Sequence, residues 1–241
     1  MPVARKPTAQ AVSGHLQKYR SATRARASAR FFKTGPGQYG HGDVFIGVKV
    51  PDQRTVARLF ADLPLSEIDK LLQSKTHEHR LTGLFILVAQ YKAAEPKSQK
   101  ALVKFYLAHK HRINNWDLVD SSAPYVLGRY MLGANRAVLY RLARSKRLWD
   151  RRIAIIATAA LIREGDYRDT LNIAEILLRD THDLIHKAVG WMLREVGNKS
   201  LATEERFLRK HAATMPRTML RYAIEKFPQS KRKAYLGMRA R

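Results

Sequence analysis

From Asp52 onward the apolar residues return at intervals of three and four. Val56, Leu59, Phe60 and Leu63 make one such series, and Ile68, Leu71 and Leu72 another. Residues three and four apart share one face of an α-helix, so this spacing predicts amphipathic helices packed on a common core. Pro64, Pro96, Pro216 and Pro228 fall between the apolar series. Proline has no amide hydrogen to give and marks a helix start or stop at each of these points. Phe45-Ile-Gly-Val-Lys-Val50 is the one strand-like run, and Pro51-Asp52 after it offers a proline and an N-cap to the next helix. No regular set of alternating strands appears. The predicted fold class is all-α.

The helical text also repeats. Leu72-Gln-Ser-Lys-Thr-His-Glu-His-Arg80-Leu-Thr-Gly-Leu84 has a counterpart in Leu142-Ala-Arg-Ser-Lys-Arg-Leu-Trp-Asp-Arg-Arg152-Ile-Ala-Ile-Ile156. A third copy is Leu178-Arg-Asp-Thr-His-Asp-Leu-Ile-His-Lys187-Ala-Val-Gly-Trp191. Each is an apolar helix end, a short polar turn, a basic residue and a second apolar helix. Arg80, Arg152 and Lys187 share one phase of an interval of about 36 residues, close to the HEAT type. Trp116 falls at the intervening phase, and a weaker copy covers 207–228. This predicts an α-solenoid of HEAT-like repeats in which successive pairs bury a face on one another and the second helices line a concave surface. The predicted organisation is a flexible basic tail over 1–10 and a single HEAT-like repeat domain over 11–241.

Charge adds a partner to this picture. Lys and Arg number 45 against 20 Asp and Glu, a formal charge of +25. With 45% hydrophobic residues the chain can bury a sizeable core, so the basic excess belongs on the outside of a folded body. A polyanion, nucleic acid first, is the expected partner. The first acidic residue is Asp43; Arg24, Arg30 and Lys33 are among the cations before it. An acid-free, Arg- and Ser-rich start can mark a transit peptide. Here it runs unbroken into Phe31-Phe32 and a turn, which favours a basic first helix lying along a phosphate backbone.

Several chemistries are excluded or weak. Cysteine is absent, which removes disulfides, thiolate nucleophiles and Cys-type zinc sites. The longest uncharged stretches, 81–91 and 153–162, fall short of the roughly 20 apolar residues that span a bilayer. Gly35-Pro-Gly-Gln-Tyr-Gly40 matches a dinucleotide fingerprint formally, but no strand precedes it and no helix opens on it. His77/His79 and His109/His111 are spaced by two, which does not place both on one helix face. No metal or cofactor is expected.

Arg80, Arg152 and Lys187 at helix N-termini suit phosphate oxygens. A solvated basic face is the plainer explanation, and the recurrence in phase favours the functional one. Trp116 and Asp120 stand four apart, hence on one helix face, and Trp191 lies one turn beyond Lys187. Helical tryptophan is more often core than ligand contact. An aromatic and a carboxylate side by side in a basic hollow are an odd choice for packing alone. N-capping of Ser121-Ser-Ala-Pro124 is the competing role for Asp120, and Asp117 points off that face.

At Asn114-Asn-Trp-Asp-Leu-Val-Asp120, Leu148-Trp-Asp-Arg-Arg152-Ile-Ala and His186-Lys-Ala-Val-Gly-Trp191-Met-Leu-Arg-Glu-Val-Gly197 the chain resembles the DNA alkylation repair family of HEAT-like-repeat DNA glycosylases, the AlkD type. The resemblance runs from about Arg24 to Pro228 and so takes in most of the chain. It implies removal of cationic alkylated purines, 3-methyladenine and 7-methylguanine, from double-stranded DNA, with the lesion base left stacked. It implies Trp116, Trp191, Asp120 and Arg152 as the active-site set. A monomer acting in the cytoplasm on nucleoid DNA is expected.

The residue types suit that chemistry. Methylation at N3 or N7 makes the purine cationic, so the base leaves neutral while the sugar becomes oxocarbenium-like. A nearby carboxylate stabilises that charge and can orient a water, the role implied for Asp120. Arg152 beside it would hold it ionised. Trp116 and Trp191 would face the sugar and attract its positive charge. The competing reading is a HEAT-like protein that binds bent or branched DNA without catalysis.

Overall fold

In a computed structural model of the chain, residues 7–238 are described. They fall into two compact units that divide after Val126. The first holds α1 (Ala9–Gln17), α2 (Ala22–Phe31), α3 (Val50–Leu59), α4 (Leu65–Gln73), α5 (His77–Ala93), α6 (Pro96–Ala108) and α7 (Trp116–Asp120). The second holds α8 (Ala137–Ala143), α9 (Leu148–Ala157), α10 (Ala159–Arg163), α11 (Arg168–Leu177), α12 (Asp183–Lys199), α13 (Leu201–His211), α14 (Arg217–Ala223) and α15 (Gln229–Gly237). The fold is all-α and built of helical repeats. Among the described residues no strand forms, and no helix is long and apolar enough to cross a membrane.

Each unit is organised around one long helix. In α4, Ile68, Leu71 and Leu72 are buried against α5, as their spacing requires. Helix α5 itself buries residues all round, from His77 and Glu78 through Leu81, Leu84 and Leu87 to Tyr91. It is the core of the first unit, with α3, α4, α6 and α7 packed on it. Helix α12 plays that part in the second unit: Ile185, Ala188, Val189, Met192, Leu193 and Val196 are buried against α9, α11, α13 and α14. Its approach to α14 needs Gly190, where a Cβ would lie 2.4 Å from the Met219 carbonyl oxygen.

The strand-like run is not a strand. Among the described residues it makes no β-pairing, and an isolated bridge joins Val44, just before it, to Thr76. Gly47 adopts φ +77°, which turns the chain, and three successive amides point at one buried carboxylate. Ile46 donates to Glu78 Oε1 and Oε2 at 3.1 Å, Gly47 to Oε1 at 2.8 Å and Val48 to Oε1 at 3.3 Å. Amides spent on Glu78 cannot form a ladder. Helix α3 then opens three residues earlier than expected, with Lys49 in place of Asp52 at the N-cap and Asp52 inside the first turn, where the helix dipole favours its charge.

The tail expected over 1–10 falls outside the described residues for 1–6. Beyond them, Thr8 Oγ1 accepts from the Ala11 amide and caps α1, and the buried Ala9 donates its amide to Glu67 at 2.8 Å.

What recurs in the repeats is a clamp on the backbone. Arg80 reaches back to the start of its own hairpin turn and donates Nη1 to the carbonyls of Ser74 (2.9 Å) and Lys75 (3.3 Å). Arg151 does the same to Ser145 (3.0 Å) and Lys146 (2.9 Å). His186 hydrogen-bonds through Nε2 with the Asp180 carbonyl, again six residues upstream. Turn carbonyls left over at a helix end need donors, and a basic side chain from the next helix supplies them. The equivalent of Arg80 is therefore Arg151 and then His186. Arg152 and Lys187 each lie one residue past that position, so the register read from the sequence slips by one.

Candidate functional site

Helix α7 is a single turn with Trp116 at one end and Asp120 at the other. The fully buried Asn115 caps it, its Oδ1 accepting from the Trp116 amide at 2.8 Å. Trp116 is half-buried and one indole face is covered. Phe32 stacks on it with centroids 5.2 Å apart and planes inclined 17°, and Phe31 meets it edge-on at 5.8 Å. The column continues from Phe32 to Phe45 (5.0 Å, 17°) and from Phe45 to the His77 ring (4.6 Å, 23°). Trp116 thus belongs to an aromatic stack rooted in the end of α2 and the start of α5. Offset aromatic pairs each add about 0.5–1.5 kcal/mol beyond their buried area, enough to fix the indole plane.

A buried charge cluster supports this stack. His77 contacts Asp43 through Nδ1 at 3.0 Å and Asp117 through Nε2 at 2.7 Å, while Arg80 Nη2 donates to the other Asp43 oxygen at 2.7 Å. Burial alone would depress the His77 pKa; the Asp117 charge and its hydrogen bond, with Asp43, outweigh that and raise it to about 9. Burial likewise works to raise the Asp43 pKa, but the His77 hydrogen bond and the Arg80 charge bring it below the usual carboxylate value. The imidazolium is doubly paired at neutral pH and ties the 43–48 loop to the first turn of α7.

Asp120 is partly exposed and ends α7; Ser121 is the C-cap, so Asp120 does not serve as an N-cap. Its carboxylate lies near the buried Tyr106 hydroxyl, which bonds Ser122 at 3.1 Å. Burial raises the Tyr106 pKa, the Ser122 bond opposes this, and the Asp120 charge adds to the rise.

In the second unit, Trp191 is half-buried on α12 and donates Nε1–H to Glu195 Oε1 at 2.9 Å, one turn along the same helix. Lys187 is partly exposed and pairs with Asp183 at 2.8 Å. Arg152 is buried and donates Nη1 to the Leu184 carbonyl at 2.6 Å.

The basic residues assigned to DNA divide accordingly. Arg80 is 4% exposed and has its guanidinium spent on two carbonyls and Asp43, so it is not a phosphate contact. Arg152, 5% exposed, is no rim residue either. Arg24 straps its helix to the segments on either side, with Nε on the Gly47 carbonyl at 2.7 Å and Nη2 on the Tyr19 carbonyl at 2.8 Å. Arg30 and Lys33 are exposed on α2 and just after it, a helix with no fully buried residue.

A family model described as DNA alkylation repair enzyme matches residues 12–227. The chain belongs to that family. A solved structure described as a predicted DNA alkylation repair enzyme from Enterococcus faecalis is similar to it, with a TM-score of 0.71 and 15% identity, over 87% of this chain and 97% of that one. At that identity the likeness is one of fold. A search of curated proteins gives no match. Membership in the DNA alkylation repair enzyme family gives the chain a role in repairing alkylation damage and implies a DNA substrate.

In this member of the alkylation repair enzyme family, sequence reasoning missed the residues that hold Trp116. Phe32, Phe45, His77 and Asp43 come from three separate segments. Asp43, the first acidic residue after a long basic run, was the available signal: a lone carboxylate there has many cations to choose from, and its burial beside Arg80 and His77 shows which it took.

Proposed function

We propose that this chain is a monofunctional DNA glycosylase that hydrolyses the N-glycosidic bond of cationic alkylated purines, 3-methyladenine and 7-methylguanine, in duplex DNA. It acts as a monomer without metal or cofactor, and the base stays stacked. The observation that carries the reading is α7: a carboxylate and a half-exposed, braced indole at the two ends of one helical turn, in a member of an alkylation repair family.

In this reading the bond from C1′ to the purine nitrogen breaks with its electron pair leaving on the base, which becomes neutral. Positive charge appears on the sugar, and the Asp120 carboxylate stabilises it. Water adds at C1′, and Asp120 takes up the proton released. Trp116 faces the sugar with its open surface and contributes about 0.5–2 kcal/mol through its π electrons. Trp191 is assigned the same type of contact, and Arg152 completes the assigned active-site set. Selectivity comes from the lesion itself, because a methylated purine is already a good leaving group and needs no acid.

Asp120→Asn tests this directly. Single-turnover release of 7-methylguanine should fall by about 10²–10³-fold, the scale of removing one charge-stabilising group, while affinity for duplex DNA is kept or rises. Full activity in Asp120→Asn overturns the assigned role. A wild-type protein that releases no methylated purine overturns the glycosylase reading and leaves a DNA-binding protein.

A further inference from the structure

The first unit carries a second feature suited to DNA, and none of its basic residues belongs to the set named above. Helix α3 supplies Arg54, Ala57 and Arg58, helix α5 supplies Phe85, Val88 and Lys92, and the turn after α7 supplies Ser121 and Tyr125. Together they line a groove of about 270 Å³. Arg54, Arg58 and Lys92 are all exposed, and none of them forms an ion pair among the described residues. No carboxylate lines the groove.

Several other cations among the described residues show the contrast. Lys70 rests on Glu67, Arg136 on Asp166 and Asp169, and Lys210 on Glu175. In the groove, aromatic faces take the place of carboxylates. The Arg54 guanidinium lies 4.1 Å from the centre of the Phe85 ring, and the Lys92 ammonium 5.4 Å from that of Tyr125. An aromatic face orients a cation at a cost of little charge, whereas a carboxylate would cancel its field. The floor of Phe85, Val88 and Ala57 is apolar. Two cations oriented by aromatic rings and a third, Arg58, hydrogen-bonded to Thr55, none of them cancelled by a carboxylate, lie over an apolar floor. They suit a ligand with an anionic edge and an apolar body, and a phosphate–deoxyribose segment has that form.

Ser121 places the groove beside Asp120. We infer that Arg54, Arg58 and Lys92 form a phosphate clamp for the DNA strand that carries the lesion, holding backbone next to the nucleotide at Asp120. The clamp rests on the glycosylase reading for its placement at the lesion; its affinity for duplex DNA does not depend on catalysis. It also supplies in exposed side chains the phosphate contacts that the buried Arg80 and Arg152 cannot make.

The test compares the double variant Arg58→Gln/Lys92→Gln with Lys97→Gln/Lys100→Gln, two exposed cations of α6 that give the same change in net charge. Both are titrated onto undamaged duplex between 50 and 200 mM salt, thermal unfolding confirms that both are folded, and 7-methylguanine release is followed in parallel. The groove variant should bind about tenfold more weakly and show a salt slope shallower by about two units, since each phosphate contact contributes about 0.9. The α6 variant should stay within about twofold of wild type.

Equal losses in the two variants, or none in the groove variant, overturn the clamp. Inorganic phosphate at matched ionic strength that displaces duplex from wild type would also overturn it, because the groove would then hold a free anion. Should wild type release no base while the groove variant alone loses affinity, the clamp stands and the glycosylase reading falls. Should release be normal and the groove variant bind like wild type, the clamp falls alone.

Discussion

His77 Nε2 donates to Asp117 Oδ2 at 2.7 Å, and this one contact ties the N-terminus of α5 to the first turn of α7. The imidazolium there is buried, with its pKa raised to about 9 from 6.5. A raised pKa stabilises the folded chain fully below about pH 6.5, and the contribution is lost as pH rises through 9. We expect urea unfolding to show stability falling by up to about 3 kcal/mol between pH 6.5 and 9.5. His77→Gln should flatten that interval and lower stability at pH 6. A slope in that interval that survives the substitution would assign it to another group.

The Arg80 clamp makes a different prediction from the one its position in the repeat suggested. Removing one partner of a buried ion pair costs about 3–5 kcal/mol because the other charge is left behind. Arg80→Ala should therefore lower the denaturation midpoint severely, as should Arg151→Ala, whose loss strands Asp180. Arg80→Lys should not restore stability, since one ammonium cannot span Asp43 and two carbonyls. Wild-type stability with weakened DNA binding would return Arg80 to the DNA-facing surface.

How far the sequence reached depends on the distance over which each feature is determined. Helix α4 was legible because Ile68, Leu71 and Leu72 declare their face within five residues. The pairing of Trp116 with Asp120 on one turn was legible for the same reason. The 45–50 run misled because its aromatic and β-branched residues are strand formers, while the carboxylate that captures its amides belongs to Glu78, some 30 residues on. The repeat was visible, yet its register was one residue off. Arg151 and Arg152 are adjacent and chemically identical, and which of them reaches the Ser145 carbonyl depends on backbone direction that no residue name carries. The Phe32–Trp116 stack joins segments far apart in sequence, so nothing local announces it.

Gly190 is the residue beside Trp191, and its place is set by α14. A Cβ there would meet the Met219 oxygen at 2.4 Å and the Tyr222 Cβ at 2.5 Å. Neither neighbour is a flexible chain end, so the helices must separate. Gly190→Ala should destabilise the protein by about 1–3 kcal/mol, the usual cost of overpacking. It should also alter Trp191 fluorescence in the folded state. Unchanged stability would mean that α12 and α14 part without strain.

Glu204 offers the clearest gain of stability. It is buried on α13 against Gly197, and its Oε1 has no hydrogen-bond partner. Burial foremost, then the charge of Glu205, raises its pKa from 4.5 to about 8, with Arg194 opposing. The folded chain therefore holds this proton at neutral pH. An acid whose folded pKa lies above its unfolded one favours the fold below about 4.5, and that benefit drains away as pH rises through 8. Glutamine copies the shape of the neutral acid and has no proton to lose. Glu204→Gln should match wild type near pH 4.5 and exceed it by about 2–4 kcal/mol at pH 9. Denaturant midpoints across that range read the difference directly, and equal stability at both ends would show that Glu204 titrates as an ordinary solvated carboxylate.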